Sequence, residues 1–187
     1  NAEIMREIKS KVFFDKYREE FGSISQRLVD ALNEFNSEVV QIHDWFTLNE
    51  WAYIYATVYY ETAFSFECVR ESPKRSEEWR KKNFRYYPYY GRGYVQITWK
   101  WNYETFSKLL DRDLVNKPDL ALNPDTGFKI LAIGCKRGLF TGKKVSDYTT
   151  KSGFDAVGAR RVINSTDKAT LIAMHYNKFL EILKKST

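Results

Sequence analysis

Apolar and polar positions follow a helical period along most of this chain. Ile24, Leu28, Ala31, Leu32 and Phe35 recur at spacings of three and four behind Ser23-Ile24-Ser25-Gln26, a capping-box pattern, and predict a helix over residues 24–36. Thr47-Leu48-Asn49-Glu50 is a second box. Trp51, Ala52, Tyr55, Val58 and Tyr59 behind it form a broad apolar face, so a helix is predicted from there to about Glu61. Asn123-Pro124 supplies a cap followed by proline at the first helical position, and Gly138 supplies a stop, for a helix that holds Leu131 and Cys135. The last predicted helix follows the capping candidate Thr166. There Ala169, Ile172, Ala173, Tyr176, Phe179, Leu180 and Leu183 keep the period for four turns.

The stretch from Arg85 to Trp99 breaks this pattern. It is dense in tyrosine, carries Pro88, Gly91 and Gly93, and then alternates residue by residue, as a strand does. In an extended 94–99 segment, Tyr94, Gln96 and Thr98 would share a polar face, with Val95, Ile97 and Trp99 opposite. Ser72 to Lys82 has no apolar stripe and reads as a solvated, mobile loop or a short helix. The expectation is a predominantly α-helical α+β fold, one domain over residues 1–187, with a small β-hairpin inserted beside a cleft.

Size and composition narrow the class. A chain of 187 residues can bury a core without metal or disulfide staples, and 43% hydrophobic with 29% charged residues spread along it excludes disorder. No run approaches the roughly 18 apolar residues of a membrane span, so a soluble chain is expected. It begins with Asn1 and not Met, which leaves an upstream leader, tag or domain open. The formal net charge of +6 favours anionic partners: nucleic acid, acidic lipid or a bacterial wall. The basic residues are scattered and no nucleic-acid-binding signature is present, so nucleic acid is not the expected partner. Cys68 and Cys135 match no zinc spacing and are expected as free, partly buried thiols, while His43 and His175 lack partnered ligands. No metal and no cofactor are expected.

Two carboxylates draw attention. Glu61 falls at the C-terminal end of its helix, on a face with Ile54, Thr57 and Val58. A carboxyl in that setting is partly desolvated, and desolvation favours the neutral form from which a proton can be donated. A solvated helix-end glutamate is the plain alternative. Glu71 follows ten residues later, beyond a turn, as a candidate to act on water from the other side of a sugar, and Glu67 competes for that role.

Three segments occur in order: Tyr60-Glu61-Thr62-Ala63, Val69-Arg70-Glu71, and Tyr89-Tyr90-Gly91-Arg92-Gly93-Tyr94-Val95-Gln96-Ile97-Thr98. Together they resemble glycoside hydrolase family 19, in which a His-Glu-Thr segment carries the general acid, a second Glu downstream is the base, and a Tyr-Gly-Arg-Gly-x-x-Gln-Leu-Ser/Thr strand lines the cleft. Phe13-Phe14-Asp15-x-Tyr17-Arg18 and Ala159-Arg160-Arg161-Val162-Ile163-Asn164-x-Thr166-Asp167 resemble opening and closing segments of the phage endolysin and chitinase-like branch.

The resemblance implies a lysozyme-like fold with Glu61 as acid, Glu71 as base and Thr98 as a hydroxyl that helps hold the attacking water. It further implies substrate-binding amides at Gln96 and Asn102, the latter equally a helix-cap candidate, and weaker cleft positions at Arg161 and Asn164. Tyr90, within the tyrosine-rich run, is a candidate stacking surface for a sugar ring or a core residue. The implied activity is an inverting endo-hydrolysis of β-1,4 bonds in an N-acetylated amino-sugar polymer, with carboxyl groups about 6.5 to 9.5 Å apart. Peptidoglycan is the first expected substrate; chitin is the alternative, and a non-catalytic glycan-binding relative is the rival of another class. The sequence departs from the family at Tyr60, where His is usual, at Phe64, where a small residue is usual, and at Ser165, where Asn-Gly is common. The plant-type disulfide framework is absent, which favours the bacterial and phage branch over a secreted plant-like enzyme; a monomer acting at the bacterial cell wall, in the periplasm or outside the cell, is expected. Lys74, Arg75, Arg80, Lys81 and Lys82 are expected to form a solvated basic lip that gathers anionic wall.

Overall fold

Seven α-helices, four 3-10 helices and two short antiparallel strand pairs make up residues 5–187, the part of the chain described by the computed structural model. The first four residues of the expected 1–187 domain lie outside that range. The helices are α1 (Ser10–Phe21), α2 (Gln26–Gln41), α3 (Leu48–Glu61), α4 (Glu77–Asn83), α5 (Lys100–Leu110), α6 (Pro124–Arg137) and α7 (Ala169–Ser186). The strands are β1 (Val69–Arg70), β2 (Arg92–Gly93), β3 (Thr149–Thr150) and β4 (Gly153–Phe154). The architecture is the predicted α+β, predominantly helical, lysozyme-like class. The chain divides into two compact units, one made of the described residues to Phe66 together with Ile133–Thr187, the other of Glu67–Ala132.

In the first unit α7 packs along α1 and α3. The contact is aromatic: the Tyr55 ring lies 4.9 Å from Phe35 and 5.7 Å from Phe179, and Phe66 lies 5.4 Å from Phe35. Such pairs add about 0.5–1.5 kcal/mol each beyond the area they bury. Helix α3 starts where the sequence places it. The Thr47 hydroxyl accepts from Glu50 N at 3.2 Å, and the Glu50 carboxylate accepts from Thr47 N at 3.0 Å, completing the box. Ten of its fourteen residues are buried, and it ends at Glu61. The Thr62 hydroxyl closes the turn beyond, donating to Val58 O at 2.7 Å and accepting from Phe66 N at 3.0 Å.

Several predicted boundaries move. The cap of α2 is Ser25, whose hydroxyl accepts from Leu28 N at 3.1 Å, so the Ser23 box does not form and the helix runs on to Gln41. Helix α7 begins after Lys168, in a left-handed conformation, and not on a Thr166 side-chain cap. Helices α1 and α5 have no side-chain cap, which is why no start signal announced them. Asn123 does cap α6, accepting from Asp125 N at 3.0 Å, and Gly138 beyond its end takes the left-handed φ of 71° that favours glycine.

The second unit holds the largest departure. The predicted 94–99 strand is absent: Tyr94 to Gln96 form a turn, Gln96 and Trp99 have positive φ, and Ile97 bridges back to Arg92. Pairing is confined to β1 and β2, with Val69 opposite Gly93 and Arg70 opposite Arg92. Tyr94 is buried, so the expected polar face does not exist. Residues 77–83 are the short helix of the two forms expected there, with Ser76 accepting from Trp79 N at 3.1 Å. Among the described residues no helix is long and apolar enough to cross a membrane, and no group of His, Cys, Asp or Glu is placed to hold a metal ion.

Candidate active site

Glu61 closes α3 with its side chain 18% exposed, and its Oε1 accepts from Arg160 Nη1 at 2.8 Å. Arg160 lies in the 3-10 helix Gly158–Val162 and is 2% exposed. Its Nε donates to Asp167 O at 2.8 Å, and its guanidinium sits 5.6 Å from the centre of the Tyr60 ring. The buried guanidinium is met by the Glu61 carboxyl and the Asp167 carbonyl. Oε1 is therefore committed, which leaves Oε2 to meet a ligand.

The neighbour Arg161, with Asn164, was expected as a weaker cleft position. Arg161 is exposed, donating only at 3.4 Å to Gly158 O, and Asn164 is exposed with its side chain turned onto Ser165 N at 2.8 Å. Two consecutive arginines in a 3-10 turn point to different sides, and sequence alone did not tell which turns inward.

In the second unit Glu71 is held from three directions. Its carboxylate accepts from the Tyr86 hydroxyl at 2.5 Å and from Gly91 N at 3.1 Å. Its backbone N donates to Gly91 O at 2.8 Å, and its carbonyl accepts from Arg80 Nε at 2.9 Å. Burial first, and the hydrogen bond to Glu71 next, push the Tyr86 hydroxyl up to about 12, so it remains a donor throughout the neutral range. Gly91 is required for space. A Cβ there would fall 3.1 Å from Glu71 Oε1 and 2.7 Å from Gln96 Oε1.

Gln96, expected to bind substrate, spends its amide on the backbone, with Nε2 donating to Val69 O at 2.7 Å and to Gly93 O at 3.2 Å. Only its oxygen remains available. Thr98 and Asn102 are brought together, since Asn102 Nδ2 donates to Thr98 O at 2.7 Å one helical turn back, while the Thr98 hydroxyl donates to no described residue. Tyr90 is fully buried and is a core residue: Arg92 lies 3.8 Å from its ring centre, and its hydroxyl donates to Glu77 Oε1 at 2.7 Å and accepts from Arg70. A ring without exposed surface offers no face to a sugar. Arg80, expected in the solvated lip, is 3% exposed and also donates to Ser72 O at 2.7 Å and to Glu77 Oε1 at 2.8 Å. Arg160 on Glu61, and Tyr86 and Arg80 on Glu71, are thus the contacts that sequence reasoning did not name.

A cavity of 560 Å³ in the second unit is lined by Arg70, Arg80 and Arg92 with Glu77 and Asp119. Its guanidinium groups are engaged within the protein. Arg92 Nε donates to Asp119 at 2.8 Å and its Nη1 to Pro88 O at 2.8 Å, and Arg70 Nη1 donates to Asp119 at 2.9 Å. Burial alone would raise the Asp119 carboxyl, but the hydrogen bonds from Arg70 and Arg92 outweigh it and hold the group below the usual carboxylate range.

Residues 43–133, just under half of the chain, match the family model of glycoside hydrolase family 19, described as Chitinase class I. A stretch of 33 residues is 58% identical to Chitinase 11 of Oryza sativa subsp. japonica, covering 18% of this chain and 13% of that protein, well under two thirds of the relative's length. The fold is similar to that of chitinase C from Streptomyces griseus, with a TM-score of 0.61 and 20% identity over 92% of this chain and 76% of that one. It is also similar to a chitinase C mutant, with a TM-score of 0.53 and 18% identity over 92% of each chain. At such identities the structural likeness bears on the fold. The matched segment takes in Glu61, Glu71 and the Gly91–Gly93 stretch, and over that segment the chain is similar to glycoside hydrolase family 19.

Proposed function

We propose that this chain is a glycosidase that hydrolyses β-1,4 bonds of an N-acetylated amino-sugar polymer with inversion, Glu61 donating the proton to the leaving oxygen and Glu71 taking one from the attacking water. The observation that carries the reading is how each carboxylate is held. Arg160 grips Glu61 Oε1, leaves Oε2 to protonate the glycosidic oxygen, and stabilises the carboxylate once its proton has gone. Glu71 accepts hydrogen bonds from Tyr86 and Gly91, which hold its carboxylate in one orientation. Thr98 and Asn102 are the proposed contacts to water and substrate, with Gln96 contributing through its oxygen alone.

Chitin is the polymer that the names of the similar proteins support. Peptidoglycan, with action at a bacterial wall, is the second reading, favoured by the formal charge of +6. Release of reducing ends from soluble chitin oligomers and from purified peptidoglycan, assayed side by side, distinguishes the two, and NMR of the products should show the α-anomer first. No new reducing ends from either polymer, with the protein folded, overturns the proposal.

A further inference from the structure

Behind Glu61, α3 carries two buried hydroxyls on the same face, Thr57 one turn back and Tyr53 two turns back. Each residue is 2% exposed, and neither Tyr53 Oη nor Thr57 Oγ1 finds a hydrogen-bond partner of normal geometry among the described residues. Burial pushes the Tyr53 hydroxyl up, while the positive charge of Arg160 and a contact with the Thr57 hydroxyl act against that. The rings of Phe154 and Tyr176 flank Tyr53 at 5.6 and 6.4 Å.

A buried hydroxyl without a partner is unfavourable, and two of them on one face beside a guanidinium demand an explanation. Arg160 spends Nε on Asp167 O and Nη1 on Glu61, and its Nη2 donates to no described residue. An internal water is held where two to four polar groups converge, and these three are of the right kinds: two hydroxyls that can donate or accept, and one charged donor. We infer that Tyr53 and Thr57 bind one buried water that accepts a hydrogen bond from Arg160 Nη2, and that they act through it as positioning residues for the Arg160–Glu61 pair. The water fixes the plane of the guanidinium, which fixes Glu61 Oε1 and hence the direction of Oε2. Neither hydroxyl touches substrate. The catalytic part of this inference rests on the proposed role of Glu61, whereas the water site does not.

The test uses Thr57→Val, which keeps the shape and removes the hydroxyl, Thr57→Ser, which restores it, and Tyr53→Phe. In a high-resolution crystal structure of the parent, density for one water should contact Tyr53 Oη, Thr57 Oγ1 and Arg160 Nη2, and it should vanish in Thr57→Val. On a short oligomer kcat should fall on the order of tenfold in Thr57→Val and in Tyr53→Phe with KM unchanged, and Thr57→Ser should recover most of it. Absent density in the parent, or a Thr57→Val variant with raised Tm and parental kcat, overturns the inference, because relief of an orphaned hydroxyl is what simple packing would produce. If Glu61→Gln keeps turnover while the water is present in the parent, the role of Glu61 fails and the water site stands.

Discussion

Replacing Arg80 with Met separates a surface charge from an internal brace. As part of a solvated lip, Arg80 could be replaced with a change within about 0.5 kcal/mol. The structure instead buries it at 3% exposure, with hydrogen bonds of 2.9 Å to Glu71 O and 2.7 Å to Ser72 O. Hydrogen bonds from a charged donor contribute about 1.5–3 kcal/mol each. Glu71 and Ser72 are half-buried, so their carbonyls can partly rehydrate, and the low end applies, about 3 kcal/mol for the two. The ion pair with Glu77 adds about 0–1 kcal/mol, since that carboxylate is 51% exposed and screened. Met retains most of the apolar stem, so the loss is polar and not a cavity. At about 2–4 °C per kcal/mol for a chain of this length, the total of about 3–4 kcal/mol should lower Tm by about 6–16 °C. Urea unfolding should give a lower midpoint at unchanged m, with Lys81→Gln and Lys82→Gln as exposed controls that stay at the parental value. Because Arg80 anchors the Glu71 backbone, kcat should fall more than KM rises. An Arg80→Met midpoint indistinguishable from the two controls would refute the brace.

Three further outcomes follow from the same contacts. Glu77, Asp119 and Asp125 are each held below the ordinary carboxylate range, for the first two against burial: Glu77 by Tyr90, Tyr87, Arg80 and Arg70, Asp119 by Arg70 and Arg92, and Asp125 first by Arg112. A depressed folded value gives stability that is complete above the unfolded value, 4.5 for Glu and 3.8 for Asp, and lost as pH falls through the folded one; acid unfolding followed by circular dichroism should begin below about pH 4, with Asp119→Asn less stable at neutral pH and shallower in acid. Gly91→Ala should lower kcat on the order of tenfold in the reducing-end assay, because the new Cβ would fall 2.7 Å from Gln96 Oε1 and 3.1 Å from Glu71 Oε1, so that both side chains must shift. Changing Lys74, Arg75, Lys81 and Lys82 together to Gln, with Arg80 left in place, should weaken binding to an anionic polysaccharide at low salt and leave turnover of an uncharged oligomer unchanged, since exposed charges are screened beyond a Debye length of about 10 Å at 0.1 M.

Helix α3 was legible from end to end because its start is written in side chains, the Thr47–Glu50 box, and its apolar face is continuous to Glu61. Residues 94–99 misled for a physical reason. Alternation identifies a strand only when the backbone stays extended, and the left-handed φ of 58° at Gln96 and 71° at Trp99 folds the segment into a turn that buries Tyr94. Family spacing located Glu71 but not the Tyr86 hydroxyl that binds it, fifteen residues away across a segment without periodicity. Tyr90 looked like a sugar platform because an aromatic side chain reads alike in a core and on a cleft wall, and Arg92 packed on its ring decides for the core. Arg80 was misplaced among four other basic residues because a run of charge reads as solvated, and only tertiary contact shows one member folded back onto the backbone of Glu71.

The central claim, that Glu61 and Glu71 perform the chemistry, is tested most directly by turnover of one soluble oligomer by Glu61→Gln, Glu71→Gln and Glu67→Gln, with Tm and glycan binding measured on each. Glutamine preserves shape and an acceptor for Arg160 but can neither donate the proton nor take one. The account predicts a loss on the order of 10² or more in kcat for Glu61→Gln and a nearly equal loss for Glu71→Gln, with binding retained and Glu67→Gln close to the parent. Near-parental turnover by Glu61→Gln, or a Glu67→Gln variant more damaged than Glu71→Gln, contradicts it.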